Sequence, residues 1–284
     1  MAAGIAYGLQ RETGRAVLLD CDVAGAGLDV LLGIEDQSGA RWGHMTAAIG
    51  EVDGHGVLAS LPVWRAVPVL SMSRQAPVAP SNEVVLDVCS ALLRAGCSIV
   101  LDLPRIGAWT AGMRALALGA DHLLCVTPAT VQGAAGATAL IGAVVAGGGS
   151  GGDHDSGSYG SGGYGSGGTA RWATLAPSAM SLLVREPSPG RITAEDLAQL
   201  TGCPIAGLVH RDRSMAGAIE RGEGPVVKRG ARHSRLGRLS LTLARSLAGG
   251  GAGAGAAAGT MTASIAGTVT AAGRAGLAVN SHDR

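Results

Sequence analysis

Short apolar runs alternate with amphipathic segments along most of the chain, a pattern that predicts an α/β fold. The apolar runs have the length of buried strands, and they lie at 17–19, 67–72, 98–103, 121–126, 179–184 and 205–209. The segments between them repeat apolar residues every three or four positions and predict helices at 1–12, 82–95, 109–118, 131–145, 193–200 and 212–220. Strands and helices that alternate in this way build a mainly parallel sheet with helices on both faces, so we expect three layers.

Two acidic residues stand at the end of the first of these strands. The apolar run 17–19 leads directly into Asp20 and Asp22. Ligands bind at the carboxyl edge of an open parallel sheet, where such residues lie. Two carboxylates this close repel each other, so such a pair usually serves to bind a cation or to position an attacking water. Phosphate-bound Mg²⁺ is a common cation at this edge. The pattern therefore indicates a candidate site.

A purely structural interpretation of the same two acids stays open. Asp20 and Asp22 also precede a predicted helix at 28–32, and aspartates commonly cap helices. Gly25 and Gly27 leave the intervening loop free to approach a ligand or to change conformation.

A second strand has the same form. After Ser98, the run 98–103 is apolar except for Asp102 near its end, and Pro104 follows and stops strand pairing. This is the form of a Walker-B strand, whose aspartate holds the water shell of Mg²⁺ opposite a phosphate-binding loop.

The order and spacing of LLDCDVAGAGLDVLLGIED and SIVLDLPR resemble the deviant-Walker ATPases of the MinD/ParA superfamily. The resemblance is closer to the CpaE/TadZ-like branch, and within it to the septum-site-determining (Ssd-like) proteins. It covers roughly residues 1–247, and the run 25–33 is its most specific part. The resemblance implies a P-loop NTPase-like fold with ATP and Mg²⁺ as cofactors.

The resemblance also assigns roles to the acidic strand ends. It implies that Asp22 helps to position the attacking water, that Asp102 holds Mg²⁺ through water, and that Asp20 supports this network. Gly25 and Gly27 would belong to the nucleotide-binding loop that follows Asp22.

Further cofactor-binding candidates lie at the ends of later strands. Arg105, just after the Walker-B-like strand, is a candidate contact to a phosphate or to the partner subunit, although a surface arginine is the simpler interpretation. In the superfamily, the residues after the strand at 179–184 flank the adenine base, which makes Arg185 and Pro187 candidates for that contact. The asparagine usual in the superfamily is not found there.

The glycine-rich phosphate loop of the family is not found ahead of the helix at 1–12, so we expect the fold to be N-terminally truncated. Backbone N–H groups of such a loop normally bind the phosphates. We therefore expect a protein of this length to show no saturable ATP binding, whereas a micromolar dissociation constant would contradict this. Val23 and Ala26 stand where relatives tend to have proline and glycine. Together these departures favour an alternative, a non-catalytic positioning scaffold.

An amphipathic segment at 228–247 places Leu236, Leu239, Leu243 and Leu247 on one helical face and Arg238 and Arg245 opposite it. Such a helix usually packs on its own domain, which is our preferred interpretation. The alternatives are binding to an anionic membrane surface and, as the weaker one, binding to DNA phosphates.

The remaining composition bounds the domain organisation. We expect one α/β domain at 1–247, with a flexible glycine- and serine-rich insert at 147–168 and a disordered Gly/Ala-rich tail at 248–284. The net charge of +1 gives no argument for nucleic-acid or membrane binding by the whole chain. No nucleophile elbow, metal-spaced histidine cluster or Gly-x-Gly-x-x-Gly motif supports an unrelated α/β enzyme.

Five scattered cysteines without a Cys-x-x-Cys pair indicate reduced core residues of a cytoplasmic protein. We expect no membrane span and no signal peptide. The family resemblance implies a homodimer that marks a cell site, peripheral at the membrane or septum. Its partners would be septal proteins or components of a Tad-type secretion or pilus apparatus.

Overall fold

The computed structural model describes residues 1–22, 25, 27–73, 78–147, 180–188, 190–225, 234–250 and 261–266. Within these residues the strands are β1 (Ala16–Asp20), β2 (Val63–Trp64), β3 (Val67–Leu70), β4 (Ser98–Leu103), β5 (His122–Pro128), β6 (Met180–Glu186), β7 (Ile205–His210) and β8 (Met261–Ala266). They form one sheet in the order β2-β3-β1-β4-β8-β5-β6-β7. Only β2 and β3 pair antiparallel, and the other neighbours are parallel. The predicted α/β class with a mainly parallel sheet is confirmed.

Helices cover both faces of this sheet. The helices are α1 (Ala2–Thr13), α2 (Leu28–Leu32), α3 (Gly54–Ser60), α4 (Asn82–Arg94), α5 (Ala111–Leu118), α6 (Val131–Gly147), α7 (Ala194–Thr201), α8 (Arg213–Glu220) and α9 (Arg235–Gly250). Residues of α1, α2 and α9 share one buried cluster with the sheet, and residues of α3 to α7 share the other. This gives the three layers that the pattern predicts. Within the described residues, no helix combines the length and apolar composition needed to cross a membrane.

Side chains fix the starts of several helices. The Ser81 hydroxyl accepts the Val84 N–H at 3.3 Å at the start of α4. At α7, Thr193 and Asp196 form a reciprocal capping box, with distances of 2.8 and 3.1 Å. These bonds satisfy N–H groups that lack partners within the helix, so they set where each helix begins.

The C-terminal amphipathic helix packs on its own domain. Of the predicted range 228–247, residues 228–233 lie outside the described part, and α9 begins at Arg235. Leu243 and Leu247 are buried in the cluster shared with α1, while Arg245 pairs with Glu12 of α1 at 3.1 Å. The apolar face is therefore occupied by α1 and β7, and only the arginine-bearing face remains for any membrane or DNA contact.

The prediction of a disordered tail at 248–284 is wrong in two places. Helix α9 continues to Gly250, and Met261–Ala266 forms β8 between β4 and β5. Parallel pairing on both sides gives the backbone N–H and C=O groups of this short uncharged segment their hydrogen bonds. No local sequence pattern reveals this pairing. The domain therefore extends to residue 266. The rest of the tail and residues 148–168 of the predicted insert lie outside the described residues.

The crossing of α1 and α9 depends on two glycines and gives a first prediction. A Cβ on Gly8 would lie 2.6 Å from the Ser240 carbonyl oxygen and 2.9 Å from the Ala244 Cβ, and one on Gly4 would lie 2.5 Å from the Ser240 Oγ. We expect Gly8→Ala to lower the free energy of unfolding by roughly 1 to 3 kcal/mol in denaturant titrations, because the overpacking outweighs the helix propensity of alanine. The control is Gly142→Ala in α6, where a Cβ meets nothing within 4 Å. That variant should be neutral or slightly stabilised, and equal losses in both would contradict the packing argument.

Candidate functional site

The acidic ends of β1 and β4 lie side by side at the carboxyl edge of the sheet. The two strands are parallel neighbours, and Asp20 stands in register with Asp102. Leu18 and Val100, two residues earlier on each strand, are buried on the α1 face of the sheet. Because side chains alternate along a strand, both aspartates also project toward the α1 face. The structure thus brings together the two acidic strand ends that the sequence singles out.

Asp20 is almost fully buried and holds the loop that follows β1. Its side chain is 1% exposed, its Oδ1 accepts the Asp22 N–H at 3.1 Å, and its Oδ2 accepts the Leu28 N–H at 2.9 Å. Leu28 is the first residue of α2, so the capping interpretation is correct for Asp20. This carboxylate positions the loop between the two acids and the helix.

Burial and mutual repulsion make this edge costly for negative charge. Burial raises the pKa of Asp20 to about 7, against the opposing hydrogen bonds from the Leu28 and Asp22 N–H groups, and the Asp102 carboxylate adds to the rise. Burial also raises the pKa of Asp102, the Met1 amino group opposes this rise, and Asp22 reinforces it. A cation placed here would relieve the repulsion among the three carboxylates.

The start of α1 and the end of β6 face the same edge. Burial lowers the pKa of the amino group of Met1, which precedes α1, while the nearby Asp102 carboxylate opposes this shift and the Arg185 charge adds to it. Arg185 is exposed and stands two residues after Leu183, which is buried on the α1 face. The edge therefore combines acidic residues, a basic residue and the N-terminal end of a helix.

The other predicted site residues occupy loops at this edge. Gly27 has φ 86°, and a Cβ there would lie 2.5 Å from Asp29 Oδ1, so the loop requires glycine at this position. Gly25 is exposed and its N–H bonds to the Asp22 carbonyl at 3.0 Å.

Arg105 and Pro187 are exposed just beyond β4 and β6. Among the described residues, neither makes a hydrogen bond or ion pair to the three acids. Their predicted contacts to nucleotide or partner remain predictions.

Two residues behind the acids escape sequence reasoning. The Trp42 indole Nε1–H donates to the Asp20 carbonyl at 2.7 Å, and the Trp42 N–H donates to the Ser71 carbonyl at 3.0 Å. Trp42 is 1% exposed. Ser71 follows the Leu19–Leu70 pair, and its buried Oγ has no partner among the described residues. The presence of a large tryptophan in a chain without phenylalanine is the one sequence signal that could have indicated that Trp42 supports Asp20.

The cysteines do not contribute a nucleophile. All five are buried free thiols, as expected from their scatter in apolar runs. Burial raises the pKa of Cys89 and of Cys125 to about 12, so their reactive thiolate forms are not populated near neutral pH. They are core residues.

The carboxylates at the edge suit a hard cation that takes some of its ligands from the protein and the others from a bound molecule. Asp20, Asp22 and Asp102 supply carboxylate oxygens, which Mg²⁺ prefers. Among the described residues, no three His, Cys, Asp or Glu side chains converge tightly enough to hold a metal by themselves. The residues present therefore fit Mg²⁺ held by one or two carboxylates together with phosphate oxygens and water.

The fold is similar to that of ParA and MinD ATPases, as comparison with solved structures shows. A ParA family ATPase from Chlorobium tepidum matches with a TM-score of 0.64 and 16% identity over 86% of this chain and 91% of that one. The MinC:MinD cell division protein complex of Aquifex aeolicus gives 0.60 and 17%, over 87% and 89%. The cell division ATPase MinD of Pyrococcus furiosus gives 0.61 and 16%, over 87% and 91%. At this identity the likeness shows the fold, and the fold predicted from the resemblance is confirmed.

Sequence comparison adds relatives without a known activity. The chain is 27% identical over 221 residues to an uncharacterized protein found in two strains of Mycobacterium tuberculosis. The match covers 78% of this chain and 54% of that protein, so the chain spans about half the length of the curated relatives it matches. No family model matches the chain.

Proposed function

We propose that this chain is a positioning protein of the MinD/CpaE type that binds and hydrolyses ATP in its complete form. It would mark a cell site and act on septum formation or on assembly of a Tad-type pilus or secretion apparatus. The observation that carries the proposal is the register of Asp20 with Asp102 at the carboxyl edge of a ParA/MinD fold. Ligands bind to open parallel sheets at this edge.

Each residue at the edge has a role in this proposal. Asp102 would hold Mg²⁺, Asp22 would orient the water that reacts with the terminal phosphate, and Asp20 keeps the loop that follows β1 in place. When bound, Mg²⁺ neutralises charge that develops on the phosphates. Arg185 supplies positive charge toward the nucleotide, with Arg105 and Pro187 as further contacts.

The proposed protein works as a homodimer and meets septal or Tad components. One of the structural neighbours is a MinC:MinD cell division protein complex, so a cell division partner has a precedent on this fold. We place the protein in the cytoplasm, at the membrane or septum surface. Because the apolar face of α9 is buried, contact with anionic lipid would use its exposed arginines, including Arg235. DNA binding through the same face is the weaker alternative.

A second candidate is a non-catalytic scaffold that keeps the fold and has lost nucleotide binding. It is favoured by Val23 and Ala26, which stand where members of the resembled family tend to have proline and glycine. The reading frame upstream of Met1 separates the two candidates. An in-frame glycine-rich loop favours the ATPase, and an in-frame stop codon directly upstream favours the scaffold.

Cellular localisation tests the proposed role. A fluorescent fusion of the full gene product is expected to concentrate at septa or at another fixed cell site, and an even distribution would contradict a positioning role. With Asp102→Asn, an ATPase should lose this focus, while a scaffold should keep it. Glu51→Gln, which changes an exposed acid away from the edge, serves as the control and should leave the focus intact.

A further inference from the structure

One buried hydroxyl at the carboxyl edge of the sheet has no hydrogen-bond partner. Ser71 follows β3 and is 0% exposed, and its Oγ neither donates nor accepts a hydrogen bond among the described residues. Buried hydroxyl groups normally have a partner, because leaving one unpaired costs free energy. None of the roles proposed at the edge uses this group.

Ser71 lies beside Asp20 and on the same face of the sheet. Each of the two stands one position beyond the Leu19–Leu70 pair of the parallel strands β1 and β3. Val69 is buried in the cluster shared with α1, whereas Leu70 is buried in the cluster on the opposite face. Because side chains alternate along a strand, the Ser71 side chain projects toward the α1 face, as that of Asp20 does.

The register gives a row of three polar residues across three neighbouring strands. The row runs from Ser71 after β3, through Asp20 on β1, to Asp102 on β4. Asp20 therefore lies between Ser71 and a metal held at Asp102. Neighbouring strands lie about 4.8 Å apart, so rotation about one side-chain bond brings the hydroxyl toward the Asp20 carboxylate. Any effect of Ser71 on the proposed reaction would act through Asp20.

Trp42 holds the backbones of these two residues together. Its indole Nε1–H donates to the Asp20 carbonyl at 2.7 Å, and its backbone N–H donates to the Ser71 carbonyl at 3.0 Å. Because one buried side chain and its own backbone make both bonds, the Asp20 and Ser71 side chains stay opposite each other when the loop after Asp20 changes conformation.

The Asp20 carboxylate can accept a further hydrogen bond. Its Oδ1 accepts the Asp22 N–H at 3.1 Å and its Oδ2 accepts the Leu28 N–H at 2.9 Å, whereas a carboxylate can accept about four such bonds. One of the two present donors belongs to Asp22, the residue to which the proposed function assigns the reacting water.

We propose that Ser71 is a positioning residue whose hydroxyl donates to the Asp20 carboxylate when Asp22 turns toward the reacting water. In that arrangement the Asp22 N–H leaves Asp20 Oδ1 and the Ser71 Oγ–H takes its place, so the buried carboxylate keeps two donors. Asp20 then still holds the start of α2 through the Leu28 N–H. The inference rests on the proposed function, because it gives Ser71 a part in the same reaction.

Thermal unfolding of the purified full chain, without nucleotide, tests whether the hydroxyl is unused in the free protein. Ser71→Ala removes only an unpaired group, so the midpoint of unfolding is expected to stay the same or to rise by up to about 4 °C. Ser240→Ala is the matched control and should behave alike, because the Ser240 Oγ is equally buried and unpartnered but lies on α9. A fall of the midpoint for Ser71→Ala alone would overturn the inference, because the hydroxyl would then already be bonded in the free protein.

Turnover tests the role in the reaction, in a form of the protein that carries a phosphate-binding loop ahead of α1. Ser71→Ala is expected to lower kcat by about tenfold, the scale of one hydrogen bond to a charged group, with KM unchanged within about twofold. KM is unaffected because the bond forms only when Asp22 turns toward the reacting water. Ser240→Ala should change neither constant.

Two further variants test whether the hydroxyl itself is needed. Ser71→Thr keeps a hydroxyl and should restore kcat, while Ser71→Cys carries a weaker donor of similar size and should fall between serine and alanine. If Ser71→Thr does not fold at this buried position, Ser71→Cys carries the comparison. A folded Ser71→Thr that is as slow as Ser71→Ala would overturn the inference.

The remaining outcomes separate this inference from the proposed function. If the unaltered form hydrolyses ATP and Ser71→Ala matches it, Ser71 has no positioning role, while the proposed function stands. A raised KM with unchanged kcat would make Ser71 a residue of ground-state binding and would also overturn the inference. If the unaltered form hydrolyses no ATP, the proposed function fails and the inference fails with it.

Discussion

Replacing Asp102 with alanine is expected to abolish Mg²⁺-dependent ATP turnover in a form of the protein that carries a phosphate-binding loop ahead of α1. Asp102 stands in register with Asp20 at the edge where nucleotide would lie, and the proposed function assigns its carboxylate to the metal. Loss of such an electrostatic contact typically lowers turnover by roughly 100-fold or more. Phosphate release at saturating ATP measures the effect.

Two further variants make this result specific. Asp22→Ala should cause a comparable loss, because its carboxylate has no side-chain hydrogen bond among the described residues and is available to orient water. Glu51→Gln should leave turnover unchanged. If Asp102→Ala keeps normal turnover while remaining folded, the metal site is assigned to the wrong residue.

The free energy of unfolding is expected to fall as the pH rises from about 4 to about 8, and Asp20 should cause much of this fall. Burial raises the pKa of Asp20 from 3.8 to about 7 in the folded protein. The folded state therefore holds a proton that the unfolded state releases near pH 4. The stability from this proton is fully present below the unfolded pKa and is lost as the pH rises through 7. A shift of this size corresponds to roughly 2 to 4 kcal/mol.

Denaturant titrations across this pH range, with Asp20→Asn as the variant, check the sign. The asparagine cannot titrate, so the variant should lose much less stability over the same interval, even if it is less stable overall. Asp102, whose pKa burial also raises, leaves a residual slope of the same sign. A variant with the same slope as the unaltered protein would show that Asp20 titrates normally.

The candidate site could be predicted from the sequence because it depends on strand ends. An apolar run that stops at an acid marks the carboxyl edge, and parallel strands bring their carboxyl ends to one edge. The shared edge of Asp20 and Asp102 follows from these two local signals, whereas their adjacency depends on the strand order, which places β4 beside β1. Ser81 and the pair Thr193 and Asp196 were predictable as caps because their hydrogen bonds span only three residues.

Features built from distant segments could not be predicted in the same way. Met261–Ala266 follows a glycine- and alanine-rich run, and its place between β4 and β5 depends on pairing with residues more than 130 positions away. Trp42 supports Asp20 across 22 residues of irregular chain. Arg41 turns back onto its own loop and donates to the Ile34 and Gln37 carbonyls, which composition cannot reveal.

Hydrogen exchange with and without Mg²⁺–ATP, measured by mass spectrometry on the form with the upstream loop, tests most directly whether the acidic edge is the nucleotide site. We expect nucleotide to slow exchange in residues 20–33 and 102–109, because the loops after β1 and β4 would become ordered against it. Exchange in residues 94–98, where α4 ends and β4 begins at the opposite edge of the sheet, should not change. Binding of ATP that leaves 20–33 and 102–109 unprotected, or protects another edge of the sheet, would contradict the account.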